Sequence, residues 1–283
     1  MNEEHYQDIV ELFDLPGARP AGAVSEYRDL EGMDAEESRN YGNLALKEGD
    51  YPAAIQHFLK AIEQGDTSEE AVANLGAAYE ASGETSEAFR QFVAAREMKA
   101  NGGLDIAIAS LLKQDGRARE GLAELEAAIE REPDSAYLHF RRADLLRSMG
   151  YRKVALTAVL GAVALAPDDP FYHEWAGELA NEAGLYAQAL SSLQAAIELS
   201  PGDARLLALA AVAFFGEGKA AEAVRAARLA SDMEPDNAVY AHLRRRIEKA
   251  TDSEPRDDKP MPKMEPYDQD AFDRLTKSLE SRL

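Results

Sequence analysis

The sequence contains no cysteine, which excludes a disulfide framework and any thiolate zinc site and leaves the redox compartment open. Positive charge is scarce beside negative: 31 Lys and Arg stand against 52 Asp and Glu, a net charge of −21. That balance argues against phosphate backbones and anionic lipid heads, which need clustered Lys and Arg. It fits a protein that meets basic or apolar peptide segments, with no nucleic acid among its partners. Long hydrophobic runs are missing as well. The longest, Leu206 to Phe215, is far short of the about 20 residues a helix needs to cross a bilayer, so no membrane insertion is expected. The first residues, Met1 to Gln7, lack the basic and apolar regions of a signal peptide, and a cytoplasmic location follows by elimination.

Catalytic and metal-binding patterns are absent in the same way. The five histidines (His5, His57, His139, His173, His242) are scattered, with no pair at the i, i+4 spacing of a helical metal site. Gly102-Gly103 has no following Lys-Ser or Lys-Thr, so it reads as a turn and not a phosphate loop. Asp168-Asp169 precedes Pro170 as a helix start would, and Asp257-Asp258 lies in a charged linker. No calcium-loop pattern occurs. The expectation is a protein with no catalytic residues, no cofactor and no metal, and therefore not an enzyme.

What the chain does have is a period of 34 residues. Position 20 of that period reads Ala54, Ala88, Gly121, Ala155, Ala189 and Ala223. Four residues on stand Phe58, Phe92, Leu125, Val159, Leu193 and Ala227, and seven on there is always alanine. A fixed period of this length marks a helical solenoid with one helix pair per repeat. Such a fold offers a long surface in place of a buried pocket, which favours a binding scaffold over an enzyme. Alignment gives six repeats: 35–68, 69–102, 102–135, 136–169, 170–203 and 204–237, the third one residue early. Position 8 is small throughout (Gly42, Gly76, Ala109, Ala143, Gly177, Ala211), so two helices can approach closely there. Position 15 is glycine in all six (Gly49, Gly83, Gly116, Gly150, Gly184, Gly218), the residue that accepts the left-handed turn ending a first helix. Pro133, Pro167, Pro201 and Pro235 end the second helix of the last four repeats, and Asn101-Gly102-Gly103 supplies the break after the second repeat.

With those positions fixed, Asn74-Leu75-Gly76-Ala77-Ala78-Tyr79, Gly184-Leu185-Tyr186-Ala187-Gln188-Ala189 and Ala196-Ile197-Glu198-Leu199-Ser200-Pro201 resemble the pattern of the tetratricopeptide repeat (TPR) family. The resemblance covers 35–237, about seven tenths of the chain, and departs from the family at position 4, where Ser38, Val72, His139, His173 and Leu207 stand in place of tryptophan. It implies an all-α protein, a right-handed α-solenoid of six TPR-type helix pairs. Residues 238–250 read as a closing helix, with Tyr240, Leu243 and Ile247 on one face and Arg244, Arg245, Arg246 and Lys249 mainly elsewhere, a solvated cap to the last repeat. Residues 251–269, with four prolines and many charges, read as a flexible linker. Two amphipathic ends flank the whole. Residues 1–34 hold an apolar stretch (Ile9, Val10, Leu12, Phe13) and an acidic tether, and residues 270–283 set Phe272, Leu275, Leu279 and Leu283 at helical spacing.

In the TPR family the first helix of each pair lines a concave face, and its positions 2, 5, 6, 9, 12 and 13 reach the ligand. Carried over, this places Arg39, Asn43 and Asn74 where family members that grip the C-terminal carboxylate of heat-shock chaperones carry Lys, Asn and Asn. The further Lys and Arg of that clamp are replaced by Gly103 and Ala107, so half its cationic part is missing. The later repeats offer Tyr137, Phe140, Arg141, Phe171, Trp175, Leu209 and Phe215, apolar groups beside charges as an amphipathic helix or extended apolar peptide requires. Those aromatics read equally well as core. The occupant of that half is expected to be a partner's helix or the chain's own 272–283 segment, with Phe272, Leu275 and Leu279 docking; exchange of that tail between copies would give self-association. The reading is a protein–protein adaptor for a basic or amphipathic partner. A regulatory, targeting or chaperone-like subunit of an enzyme complex, and a self-assembling structural scaffold, remain as alternatives.

Overall fold

The computed structural model describes residues 32–253. The amphipathic stretch of residues 3–15 and the segment carrying Phe272, Leu275, Leu279 and Leu283 lie outside the described residues. Among those described there are thirteen α-helices and no strand. They run α1 (Ala35–Glu48), α2 (Tyr51–Glu63), α3 (Glu69–Ser82), α4 (Thr85–Met98), α5 (Gly102–Gln114), α6 (Ala118–Arg131), α7 (Ala136–Ser148), α8 (Arg152–Leu165), α9 (Pro170–Glu182), α10 (Tyr186–Leu199), α11 (Ala204–Gly216), α12 (Ala220–Met233) and α13 (Ala238–Ser253). Each odd helix up to α11 packs as a hairpin on the even helix after it, and α13 packs on α12 and α11. None of the described helices is long and apolar enough to cross a membrane. The chain forms two compact units, Met1–Pro133 with α1 to α6 and Asp134–Leu283 with α7 to α13. Within each, successive hairpins stack as a solenoid.

Side chains define the helix starts. The first helix of every pair begins on Asp34, Ser68, Asn101, Ser135, Asp169 or Asp203, whose side-chain oxygen accepts a backbone N–H two or three residues on. This satisfies one of the donors that a helix N-terminus leaves open. At Asp34 the bond is reciprocated by Glu37 as a capping box. Each first helix ends on one turn geometry. The position-15 glycines all have φ between +70° and +86°, and the next residue donates its N–H back to the carbonyl five residues earlier: Asp50 to Ala45, Glu84 to Tyr79, Arg117 to Leu112, Tyr151 to Leu146, Leu185 to Ala180 and Lys219 to Phe214. The second helix then starts within three residues, which forces it back along the first.

The small-residue ladder forms the inside of each hairpin. Ala54, Ala88, Ala155, Ala189 and Ala223 are fully buried, and so are the alanines seven residues on. The residues between them fill the gap opposite position 8. A methyl group added at Gly42 would stand 2.7 Å from the Phe58 ring, one at Gly76 2.9 Å from the Phe92 ring, and one at Gly177 2.5 Å from Leu193 Cγ. Where position 8 is alanine (Ala109, Ala143, Ala211), the corresponding residue is Leu125, Val159 or Ala227 and never phenylalanine.

Candidate protein-binding face

First helices of neighbouring pairs touch, α1 with α3 and α9 with α11, and α11 also touches the closing helix α13, so these helices share a face within their own unit. In unit one this face is largely occupied by its own bonds. Asn74 is 3% exposed and its amide donates to Asn43 Oδ1 at 2.8 Å, tying α3 to α1. The Arg39 guanidinium sits 2.9 Å from Asp66 Oδ2, in the turn before α3. Asp66 also accepts from the Ser68 hydroxyl at 2.6 Å and the Ser68 N–H at 3.0 Å. Burial pushes its carboxyl up, but Ser68 and Arg39 together outweigh that and hold it below its ordinary 3.8. Further along the unit, Gly103 and the buried Ala107 bring no cation to the face. The carboxylate Asp105, 1% exposed, is held between Arg96 and Arg131. Sequence reading missed these ion pairs to the buried Asp105, because neither arginine lies on a first helix.

Unit two builds a different face. Phe140 on α7 is buried at the centre of four rings: edge-on to Phe171 and to Trp175, each with centroids 4.9 Å away, and within 6.0 Å of Tyr137 and Tyr172. Phe171 and Trp175 stand one turn apart on α9, which brings both rings over Phe140. Pairs of this geometry each add about 0.5–1.5 kcal/mol beyond area burial. Phe140 and Tyr172 are thus core, whereas Phe171 is 41% exposed and Trp175 half-buried. Arg141 lies 3.1 Å from the Tyr137 hydroxyl, which accepts its N–H.

A ladder of charges runs beside the rings. Arg147 stacks over Trp175 with its guanidinium carbon 4.9 Å from the ring centroid. The same guanidinium binds Glu178 at 2.8 Å and also Glu182. Arg205 on α11 bridges to Glu174 at 2.9 Å and to Glu178 at 3.5 Å. The Glu174 oxygen nearest Arg205 receives no well-directed hydrogen bond despite that distance. Accordingly burial dominates over Arg205, and with Asp203 and Glu178 nearby it raises the Glu174 carboxyl above its ordinary 4.5. Beyond the ladder, Leu209 is half-buried, with its carbonyl accepting the Asn181 amide at 3.0 Å. Phe215, one and a half turns on, is 40% exposed. The sequence-predicted residues therefore fall into three sets, with Leu209 and Phe215 beyond the ladder on α11. Tyr137, Phe140, Arg141, Phe171 and Trp175 come together in one cluster, while Arg39, Asn43 and Asn74 are joined within unit one to partners of their own.

Models of the tetratricopeptide repeat match residues 40–101, 106–170 and 141–204, and again 180–247. The chain belongs to the tetratricopeptide repeat family. No curated protein matches it in sequence. Among solved structures, the C-terminal part of a TPR repeat-containing protein from Cytophaga hutchinsonii is similar at a TM-score of 0.65 and 15% identity, covering 86% of this chain and 94% of that one. PilF of Pseudomonas aeruginosa is similar at 0.58 and 17% identity over 75% of this chain and 99% of its own. A tetratricopeptide repeat protein from Parabacteroides merdae is similar at 0.57 and 15% identity over 87% and 98%. At such identities the likeness concerns the fold. TPR domains bind protein partners and are typically non-catalytic, and a TPR fold supports a protein–protein interaction scaffold in general.

Proposed function

We propose that this TPR protein is an adaptor whose unit-two face, α7, α9 and α11, holds an amphipathic helix or extended apolar peptide of a partner. The observation that carries the reading is Phe171: a large ring, 41% exposed, fixed edge-on against the buried Phe140 and flanked by Trp175 and the Arg147–Glu178–Arg205 ladder. An exposed aromatic on a rigid base, ringed by paired charges, has the anatomy of a binding hot spot. In this scheme Phe171, Trp175, Tyr137 and Leu209 touch the ligand, Phe140 supports them from below, and Arg141 and Arg205 set its polar edge. The charges on the face largely cancel, so a preference for a basic partner draws on the whole chain's −21 and acts mainly on encounter. The reading does not extend to Arg39, Asn43 and Asn74, which are bonded within unit one, Arg39 to Asp66 and the Asn74 amide to Asn43.

The test is titration of the full chain with a Leu/Lys amphipathic helical peptide, followed by the fluorescence of Trp175, the sole tryptophan. Phe171→Ala is expected to weaken binding about thirty-fold, as a hot spot worth about 2 kcal/mol would, with the helix content unchanged. Equal affinity in the variant and the parent would refute this face as the binding site.

A further inference from the structure

A second apolar surface in unit two lies apart from the aromatic cluster. α11 and α13 enclose a cleft of about 500 Å³, lined by Val212 and Phe215 from the one and Leu243, Ile247 and Ala250 from the other, with the exposed Arg246 and Lys249 adding positive charge. Val212 and Phe215 are 38% and 40% exposed, so apolar surface here faces water. A cleft of this size and lining is of the kind that takes a ligand or a few apolar side chains.

A fitting occupant follows in the same chain. Ala250 lines the cleft, α13 closes at Ser253, and residues 254–283 come next. Within them Phe272, Leu275 and Leu279 recur at one helical face, and Asp268, Asp270 and Asp273 gather at the start of that stretch. The apolar stripe matches the cleft floor, and the acidic start matches Arg246 and Lys249. Residues 254–269 can span up to about 55 Å when extended, whereas packed helices are only about 8–10 Å apart, so reach does not limit the pairing.

We infer that residues 270–283 dock in the α11–α13 cleft of their own chain, setting Phe272, Leu275 and Leu279 against Phe215, Leu243 and Ile247, with Asp270 and Asp273 beside Arg246 and Lys249. The tether makes the event intramolecular, with an effective concentration of about millimolar. The tail thereby covers Phe215, and any partner long enough to reach that end of the face must displace it. This inference does not rest on the aromatic face, and its test touches none of the residues that decide that reading.

The measurement uses a labelled peptide of residues 268–283 added to the full chain. In the parent the tail competes; in the variant Phe272→Ser, Leu275→Ser and Leu279→Ser it does not. The variant is expected to bind the peptide at least about ten-fold more tightly than the parent, to exchange the amides of 243–250 faster, and to lose the gain when Phe215→Glu is added. Equal affinity in both chains, no binding to the variant, or a gain that survives Phe215→Glu overturns the inference. So does tighter binding of a peptide of residues 3–15, whose Glu3, Glu4, Asp8, Glu11 and Asp14 also surround apolar residues. Dimers of the parent in sedimentation that the tail variant does not form would assign the docking to a second copy and overturn the intramolecular form.

Discussion

At the scale of single residues, two positions share one space in three of the hairpins. Gly42 faces Phe58, Gly76 faces Phe92 and Gly177 faces Leu193, each leaving no room for a methyl group. The repeats with alanine at position 8 carry Leu125, Val159 or Ala227 at the other. Gly42→Ala should gain about 0.5–1 kcal/mol of helix propensity and lose about 1–3 kcal/mol to overpacking against the fully buried Phe58, a net loss. Phe58→Leu alone opens a cavity and is destabilising in its own right. Together they recreate the Ala109–Leu125 pairing of the third repeat, so the double variant should be more stable than the two single losses predict, by about 1 kcal/mol. Urea unfolding followed by circular dichroism measures the three variants, and strict additivity would show that the two positions do not share space.

At the scale of helices, stops and starts are written in short sequence signals, and for that reason the ladder of helices was legible from the chain. Glycine at position 15 and the prolines that follow the second helix in the last four repeats act through the local backbone alone, so they need no knowledge of the fold. Gly184 illustrates the stop. Its φ is +70°, and Leu185 donates to Ala180 at 2.8 Å across the turn. Gly184→Ala should cost about 1–2 kcal/mol, the penalty of a left-handed non-glycine residue, and Trp175 on the same hairpin reports the earlier unfolding by fluorescence. A loss of only a few tenths would mean the turn relaxes without strain. The site was less legible, because its outcome depends on partners far away in sequence. Nothing in the α1 sequence indicates that Arg39 will be taken by Asp66, or that Asn74 will be buried against Asn43. The aromatic cluster was half legible. Helical spacing places Tyr137, Phe140, Phe171 and Trp175 on first helices, but only packing separates the buried Phe140 from the exposed Phe171.

At the scale of the whole molecule, the dominant quantity is charge. The chain carries −21, while the charges beside Phe171 are paired among Arg147, Arg205, Glu174, Glu178 and Glu182. In the proposed complex, long-range attraction and short-range contact would therefore come from different residues. The summed field guides a cationic ligand from beyond the contact distance and is screened by salt, with a Debye length near about 8 Å at physiological strength and about 3 Å at 1 M. Apolar contact with Phe171 and Trp175 is not weakened by that screening. For a basic amphipathic peptide, raising salt from about 0.05 to 0.5 M should thus slow association by about ten-fold or more while leaving dissociation nearly constant. Phe171→Ala should do the reverse, speeding dissociation with little change in the on-rate. Stopped-flow mixing on Trp175 fluorescence separates the two rates. Dissociation that accelerates with salt as strongly as association slows would place the binding energy in ion pairs and not in the aromatic face.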